Sequence, residues 1–187
     1  MYKLAEILSQ EVDDSYDFVK PVKVKYLKAG VERVYEYVER HDSVACLLYE
    51  EDTDKIIMVK QCRVPLLAVH GIEFTYELCA GLVEGDDVKL SMVDEIYEEC
   101  GYVVAPSELE FIHSFYKDAG STAAKQTVYF CSVKSYWKTG KGGGSETEGI
   151  EICKVSRKEA RNLMSCDSEN TALLSAGTLL ALEWFLK

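Results

Sequence analysis

Residues 77–102 read ELCAGLVEGDDVKLSMVDEIYEECGY, and the rest of the chain is organised around them. An apolar run closes on Ala80 and Gly81, an acidic turn covers Glu84 to Asp87, and a helical pattern then carries Glu95, Glu98 and Glu99. Positions three and four apart share a helix face, so the three carboxylates are expected to crowd one side of about one turn. Like charges held so close repel one another. A hard divalent cation with oxygen ligands, Mg²⁺ above all, relieves the repulsion, and a phosphate-bearing substrate commonly completes its coordination. Without such a cation the same cluster is a solvated acidic helix face.

Upstream of this stretch, residues 22–27 and 31–39 alternate polar and apolar around Lys28-Ala29-Gly30, which predicts a β-hairpin whose apolar edges need a partner. Two strongly apolar segments, 43–50 and 55–62, are separated by the polar turn EDTD and read as central strands. Pro65 ends the second, and residues 66–73 read as a connector. Downstream, VVAPSELEFIHSFY carries a strand after Pro106, and KDAGSTAAKQ is a loop leading into the alternating strand 127–133. Residues 138–149, KTGKGGGSETEG, read as a mobile loop whose acidic edge holds Glu146 and Glu148. A strand at 150–155, a helix capped by Ser156 and an apolar carboxy-terminal helix buried on one face complete the pattern. Strands interleaved with helices predict mixed α/β layers.

Composition bounds the chemistry. The 187 residues suit one domain with a small appended element, and 48% hydrophobic content suits a packed core. A formal net charge of −11 argues against a nucleic-acid backbone or an anionic membrane as partner, since either requires a basic surface. Seven cysteines, an odd number lying in apolar stretches such as those of Cys46, Cys79, Cys131 and Cys153, read as small buried residues in a reducing compartment, and none has zinc-ligand spacing. No apolar run reaches the ~18 residues of a membrane span, and the amino terminus lacks a signal-peptide core. The expectation is a cytoplasmic protein.

Residues 77–102 resemble the Nudix box, G-x5-E-x7-R-E-U-x-E-E-x-G-U with U a bulky apolar residue; Glu95, Ile96, Glu98, Glu99, Gly101 and Tyr102 fall in place. Asp86 stands where Glu is usual, Asp94 replaces the Arg, and Gly81 matches the first Gly only if the loop is one residue short. The segments HDSVACLLYE, VKQCRVP, TYELCAGLVEGD, EECGYVVAPSEL, GSTAAKQTVYF, GGGSETEGIEI and ALEWFLK extend the likeness to the nucleoside-diphosphate-sugar branch of the family over most of residues 41–187. That resemblance implies an α/β/α sandwich with a mixed sheet for residues 41–187, preceded by an amino-terminal hairpin extension at 1–40 that joins a homodimer.

The implied activity is metal-dependent hydrolysis of the diphosphate of a nucleotide sugar. UDP-glucose is favoured, because Ala124 stands where ADP-ribose hydrolases of the group carry a Glu. ADP-ribose hydrolysis, or a nucleotide-binding protein with weakened catalysis, is the alternative. By the same resemblance Mg²⁺, or Mn²⁺, is held by Glu95, Glu98, Glu99 and the carbonyl of Ala80. The general base is Glu146 or Glu148 of the late loop, with Glu98 also in the catalytic set. The expected substrate-binding residues are Arg63, Gln61 and Glu77: Arg63, with Gln61 before it in a Q-x-R pattern, suits two phosphate oxygens, and Glu77 suits a sugar hydroxyl or, equally, a structural hydrogen bond. Asp94 adds a fourth negative charge to the turn, which is expected to bias metal affinity more than folding.

Overall fold

The computed structural model describes residues 5–15, 19–145, 149–165 and 174–187. These fall into two compact units, one comprising the chain up to Asp42 together with Phe115–Lys125, the other Ser43–Ser114 with Gln126–Lys187.

In the first unit, β2 (Lys20–Lys28) and β3 (Val31–Glu39) form the hairpin expected from their alternation, turning at Ala29 and Gly30. A further strand, β1 (Ala5–Val12), pairs antiparallel with β2. The sequence reading missed it because its apolar residues Ile7, Leu8 and Val12 stay exposed, leaving no burial pattern to detect. The loop 118–124 belongs to this unit: Val38 N donates to Ser121 O at 2.8 Å, and the Tyr35 hydroxyl donates to Gly120 O at 2.5 Å.

The second unit is built on a seven-stranded sheet. Its strands are β4 (Ser43–Glu50), β5 (Lys55–Gln61), β6 (Thr75–Glu77), β7 (Cys79–Leu82), β8 (Glu110–Tyr116), β9 (Lys125–Val133) and β10 (Glu151–Val155). The order is β10-β5-β4-β9-β8, with β4 and β9 parallel. The β4–β5 hairpin pairs only from Leu48↔Ile57 to Glu50↔Lys55. Beyond that point β6 pairs with β5 and β7 with β4. The outer edges of β5 and β4 are taken by β10 and β9, so residues 75–82 occupy the split between the diverging strands. Since β4 and β5 run in opposite directions and β6 and β7 each run antiparallel to their partner, the chain reverses at Leu78.

Among the described residues four α-helices complete the unit: α1 (Val64–His70), α2 (Val88–Glu95), α3 (Arg157–Met164) and α4 (Ala176–Leu186). Helix α1 corrects the expected connector at 66–73; Pro65 ends the strand but also suits the first helical turn, where its missing N–H costs nothing. Strand β4 is buried along almost its whole length, as a strand covered on both faces must be. On one face Met92, Ile96 and Cys100 pack against Val44, Cys46, Leu48 and Cys131; on the other, Ala181 and Leu182 of α4 are fully buried and Phe185 stacks on Phe130. Helix, sheet and helix form the three layers of the expected sandwich. Ser156 caps α3 as expected, its hydroxyl accepting from Glu159 N while the Glu159 carboxylate accepts from Ser156 N. Of the cysteines, Cys46, Cys79, Cys100 and Cys131 are buried, whereas Cys153 is only half-buried; burial pushes the Cys46 thiol well above its ordinary range.

At the far end of β4, the fully buried carboxylate of Glu50 accepts from Lys154 Nζ with both oxygens at 2.7 Å and from the Tyr102 hydroxyl at 2.6 Å. Burial raises the Glu50 carboxyl, but Lys154, Thr53 and Tyr102 outweigh it and hold the group below the ordinary carboxylate range. The network ties Tyr102, just past the acidic helix, to the sheet.

Candidate active site

The acidic turn has a local task. Asp87 caps α2, its carboxylate accepting from Lys89 N at 2.9 Å and Leu90 N at 3.2 Å. Ser91 Oγ accepts from Glu84 N and donates to Glu84 O, both at 3.0 Å, which pins the turn to the first helical turn. Asp86 and Asp94 are exposed, so the extra charge of Asp94 faces solvent and costs tenths of a kcal/mol.

Helix α2 then passes into a single π-helical turn, Ile96–Cys100. Such turns are uncommon and shift every following side chain around the axis relative to an α-helix. The simple α-helical expectation of three carboxylates on one face is therefore modified. Glu99 is turned inward, only 5% exposed, and its Oε2 accepts from Ala80 N at 2.9 Å. Glu95 lies across Gly81: a Cβ at that glycine would stand 1.6 Å from Glu95 Oε1. Glu98 is exposed.

Ala80 is in register with Ala45 of β4, and its N–H is directed at Glu99. In an extended strand the N–H and C=O of one residue point to the same edge. The Ala80 carbonyl therefore opens on the side where the Glu99 carboxylate stands. Among the described residues no three or more His, Cys, Asp or Glu side chains form a metal-holding group by themselves. Two carboxylates and a carbonyl nonetheless suit Mg²⁺, which usually keeps waters and takes its remaining ligands from substrate phosphates.

On the other arm of the 75–82 reversal, Arg63 meets Glu77. Nε donates to Oε1 and Nη2 to Oε2, both at 2.7 Å, and Thr75 Oγ1 donates to Oε1 at 2.6 Å. Gln61 is buried at the end of β5, in register with Thr75.

The glycine-rich segment is not the detached loop its composition suggests. Up to Ser145 it lies against the end of the acidic helix, where Thr139 N and Gly140 N donate to Gly101 O, Gly143 N to Glu99 O at 2.8 Å and Gly144 N to Glu98 O at 3.1 Å. Lys138 Nζ donates to Cys100 O at 2.7 Å. These bonds satisfy the carbonyls that a helix end leaves without partners. Gly101, with φ +79°, supplies the left-handed cap and admits Gly140 O to within 2.3 Å of where a Cβ would sit. Glu146 and Glu148 themselves lie outside the described residues.

No protein-family model matches the chain. It is 27% identical over 199 residues to the uridine diphosphate glucose pyrophosphatase of Bos taurus, covering 90% of this chain and 88% of that protein. It is 28% identical over 137 residues to the GDP-mannose pyrophosphatase of Pectobacterium atrosepticum, covering 72% of this chain and 69% of that protein. Both relatives hydrolyse nucleotide sugars by name, which supports the resemblance to the Nudix hydrolases carried by residues 77–102. The crystal structure of an ADP compounds hydrolase superposes with a TM-score of 0.76 at 18% identity, covering 99% of this chain and 96% of that one, so the mixed α/β fold is shared. The structure seats Glu99 on the Ala80 amide, lays Glu95 across the neighbouring Gly81, joins Arg63 to Glu77, and leaves Glu98 on the surface. Thr75 and the glycine contacts were missed from the sequence, since Thr75 acts through a Glu77 carboxylate fixed by Arg63 and the glycines through a helix end more than 35 residues earlier.

Proposed function

We propose that the protein hydrolyses the diphosphate bond of a nucleoside-diphosphate sugar, with UDP-glucose giving UMP and glucose 1-phosphate. The observation that carries this reading is the carboxylate of Glu99 seated at the Ala80 amide beside Glu95, in a chain resembling a UDP-glucose pyrophosphatase over nine-tenths of its length. Glu95, Glu99 and the Ala80 carbonyl hold Mg²⁺ or Mn²⁺, and Glu98 joins them through ligand or solvent contacts at the exposed end. When bound, the cation neutralises the diphosphate and lowers the pKa of the attacking water. Arg63 binds a phosphate oxygen and keeps the diphosphate in line. Water attacks one phosphorus, the bridging P–O bond breaks with its electrons passing to the departing phosphate, and the water's proton passes to Glu146 or Glu148. The anchoring of Gly143 and Gly144 on the Glu99 and Glu98 carbonyls supports that assignment, because it starts the loop at the end of the acidic helix.

Incubation with UDP-glucose, ADP-ribose or GDP-mannose plus Mg²⁺, followed by separation of products, tests the reading. UMP and glucose 1-phosphate are expected to dominate. Faster release of AMP with ribose 5-phosphate, or of GMP with mannose 1-phosphate, would reassign the substrate; binding without products would make the protein a nucleotide sensor. Excess EDTA is expected to stop turnover, and undiminished activity there would refute the metal assignment.

The protein acts as a homodimer through its amino-terminal sheet, where Ile7, Leu8, Val31 and Val34 are exposed apolar residues on strands. Gel filtration with light scattering at micromolar concentration is expected to show twice the chain mass. A monomer under those conditions would remove the dimer.

A further inference from the structure

We propose that Glu77 is a positioning residue, which sets the guanidinium of Arg63 for the diphosphate and does not itself bind a substrate hydroxyl. The proposal rests on the reading above that Arg63 meets a substrate phosphate. Its basis is the asymmetry of the pair. The Glu77 side chain is 12% exposed, whereas that of Arg63 is 46% exposed, so the carboxylate is the inner partner and the guanidinium the outward one. Both carboxylate oxygens are engaged, Oε1 by Arg63 Nε and Thr75 Oγ1, Oε2 by Arg63 Nη2. A two-point, charge-assisted contact of this kind is roughly twice as strong per bond as one between neutral groups, so a neutral sugar hydroxyl competes poorly for it.

Arg63 needs such a holder. It precedes α1 with an extended backbone, φ −109° and ψ 99°, and its side chain makes no capping bond to the helix. An arginine held only at its Cα carries rotamer entropy that it would lose on gripping a ligand. Fixing it beforehand lowers that cost. Glu77 is well placed for the task, since the same short reversal that carries it also carries Ala80, to which Glu99 is bonded. The guanidinium and the acidic cluster are therefore referred to one piece of backbone. Thr75, buried and on the same strand face as Glu77, completes the mount.

A double-mutant cycle tests the proposal, using steady-state kinetics on UDP-glucose at saturating Mg²⁺ with a thermal melt of each variant. Glu77→Gln is expected to raise KM by about 10-fold or more with a smaller change in kcat, the range typical when a partner behind a ligand is altered. Thr75→Val is expected to shift KM in the same direction by less, and it carries the test if Glu77→Gln folds poorly. In an Arg63→Ala background, adding Glu77→Gln is expected to change nothing further. An equal penalty with and without Arg63 would mean that Glu77 touches substrate itself and would overturn the proposal. Wild-type KM and kcat in Arg63→Ala would instead remove the phosphate role of Arg63, and no turnover by the wild-type protein would remove the proposed function; the three failures are distinct.

Discussion

Glu99→Gln is expected to lower turnover by about 10²–10³-fold or more, the scale on which removal of one electrostatic catalytic group acts. The substitution is nearly isosteric, and its amide oxygen can still accept from Ala80 N, where Oε2 now sits at 2.9 Å. What disappears is the negative charge. The melt of the metal-free protein is therefore expected to stay near wild type, while the stabilisation that Mg²⁺ confers on the wild-type melt shrinks. Glu99→Ala is a harsher change, since it leaves the Ala80 amide without its acceptor and costs about 1–3 kcal/mol in stability. Wild-type turnover in Glu99→Gln would show that the inward carboxylate is a structural clasp between helix and strand and nothing more.

Gly81→Ala is expected to cost about 100-fold in activity, although it adds a single methyl group; misplacing a catalytic group by about 1 Å is enough for an effect of that size. Gly81 is outside the left-handed region, so alanine suits its backbone. The obstacle is the side chain of Glu95, with Oε1, Cδ and Cγ all within 2.7 Å of the new Cβ. Either Glu95 swings away or β7 moves, and both displace the proposed metal ligand relative to Ala80. Because the atoms met are those of one half-buried side chain and not backbone, the melt should fall much less than the activity. Activity and melt both near wild type would mean that Glu95 works from another rotamer.

Much of the fold was legible along the chain. Strands β4 and β5 announce themselves by apolar runs bounded by a polar turn, α3 by Ser156 and Glu159, and the β2–β3 hairpin by alternation. These signals are local, so each segment carries its own instruction. The failures share a cause as well. Strand β1 keeps its apolar residues exposed and is defined only by its neighbour, while α1 buries none of its residues and so shows no amphipathic pattern. The π-helical turn leaves no mark on residue type either. Its effect appears only in which carboxylate turns inward.

From the spacing of Glu95, Glu98 and Glu99 alone, the sequence determined that carboxylates would gather on a helix, and the surrounding segments carry the likeness to nucleotide-sugar pyrophosphatases. Which carboxylate meets which backbone group was decided by the tertiary structure. Glu99 finds Ala80 across 19 residues and Glu77 finds Arg63 across 14, because the splayed β4–β5 hairpin admits a chain reversal at Leu78 whose two arms face different neighbours. Hydrophobic alternation reports which side of a strand is buried. It does not report where two strands part, and the site is built in that gap.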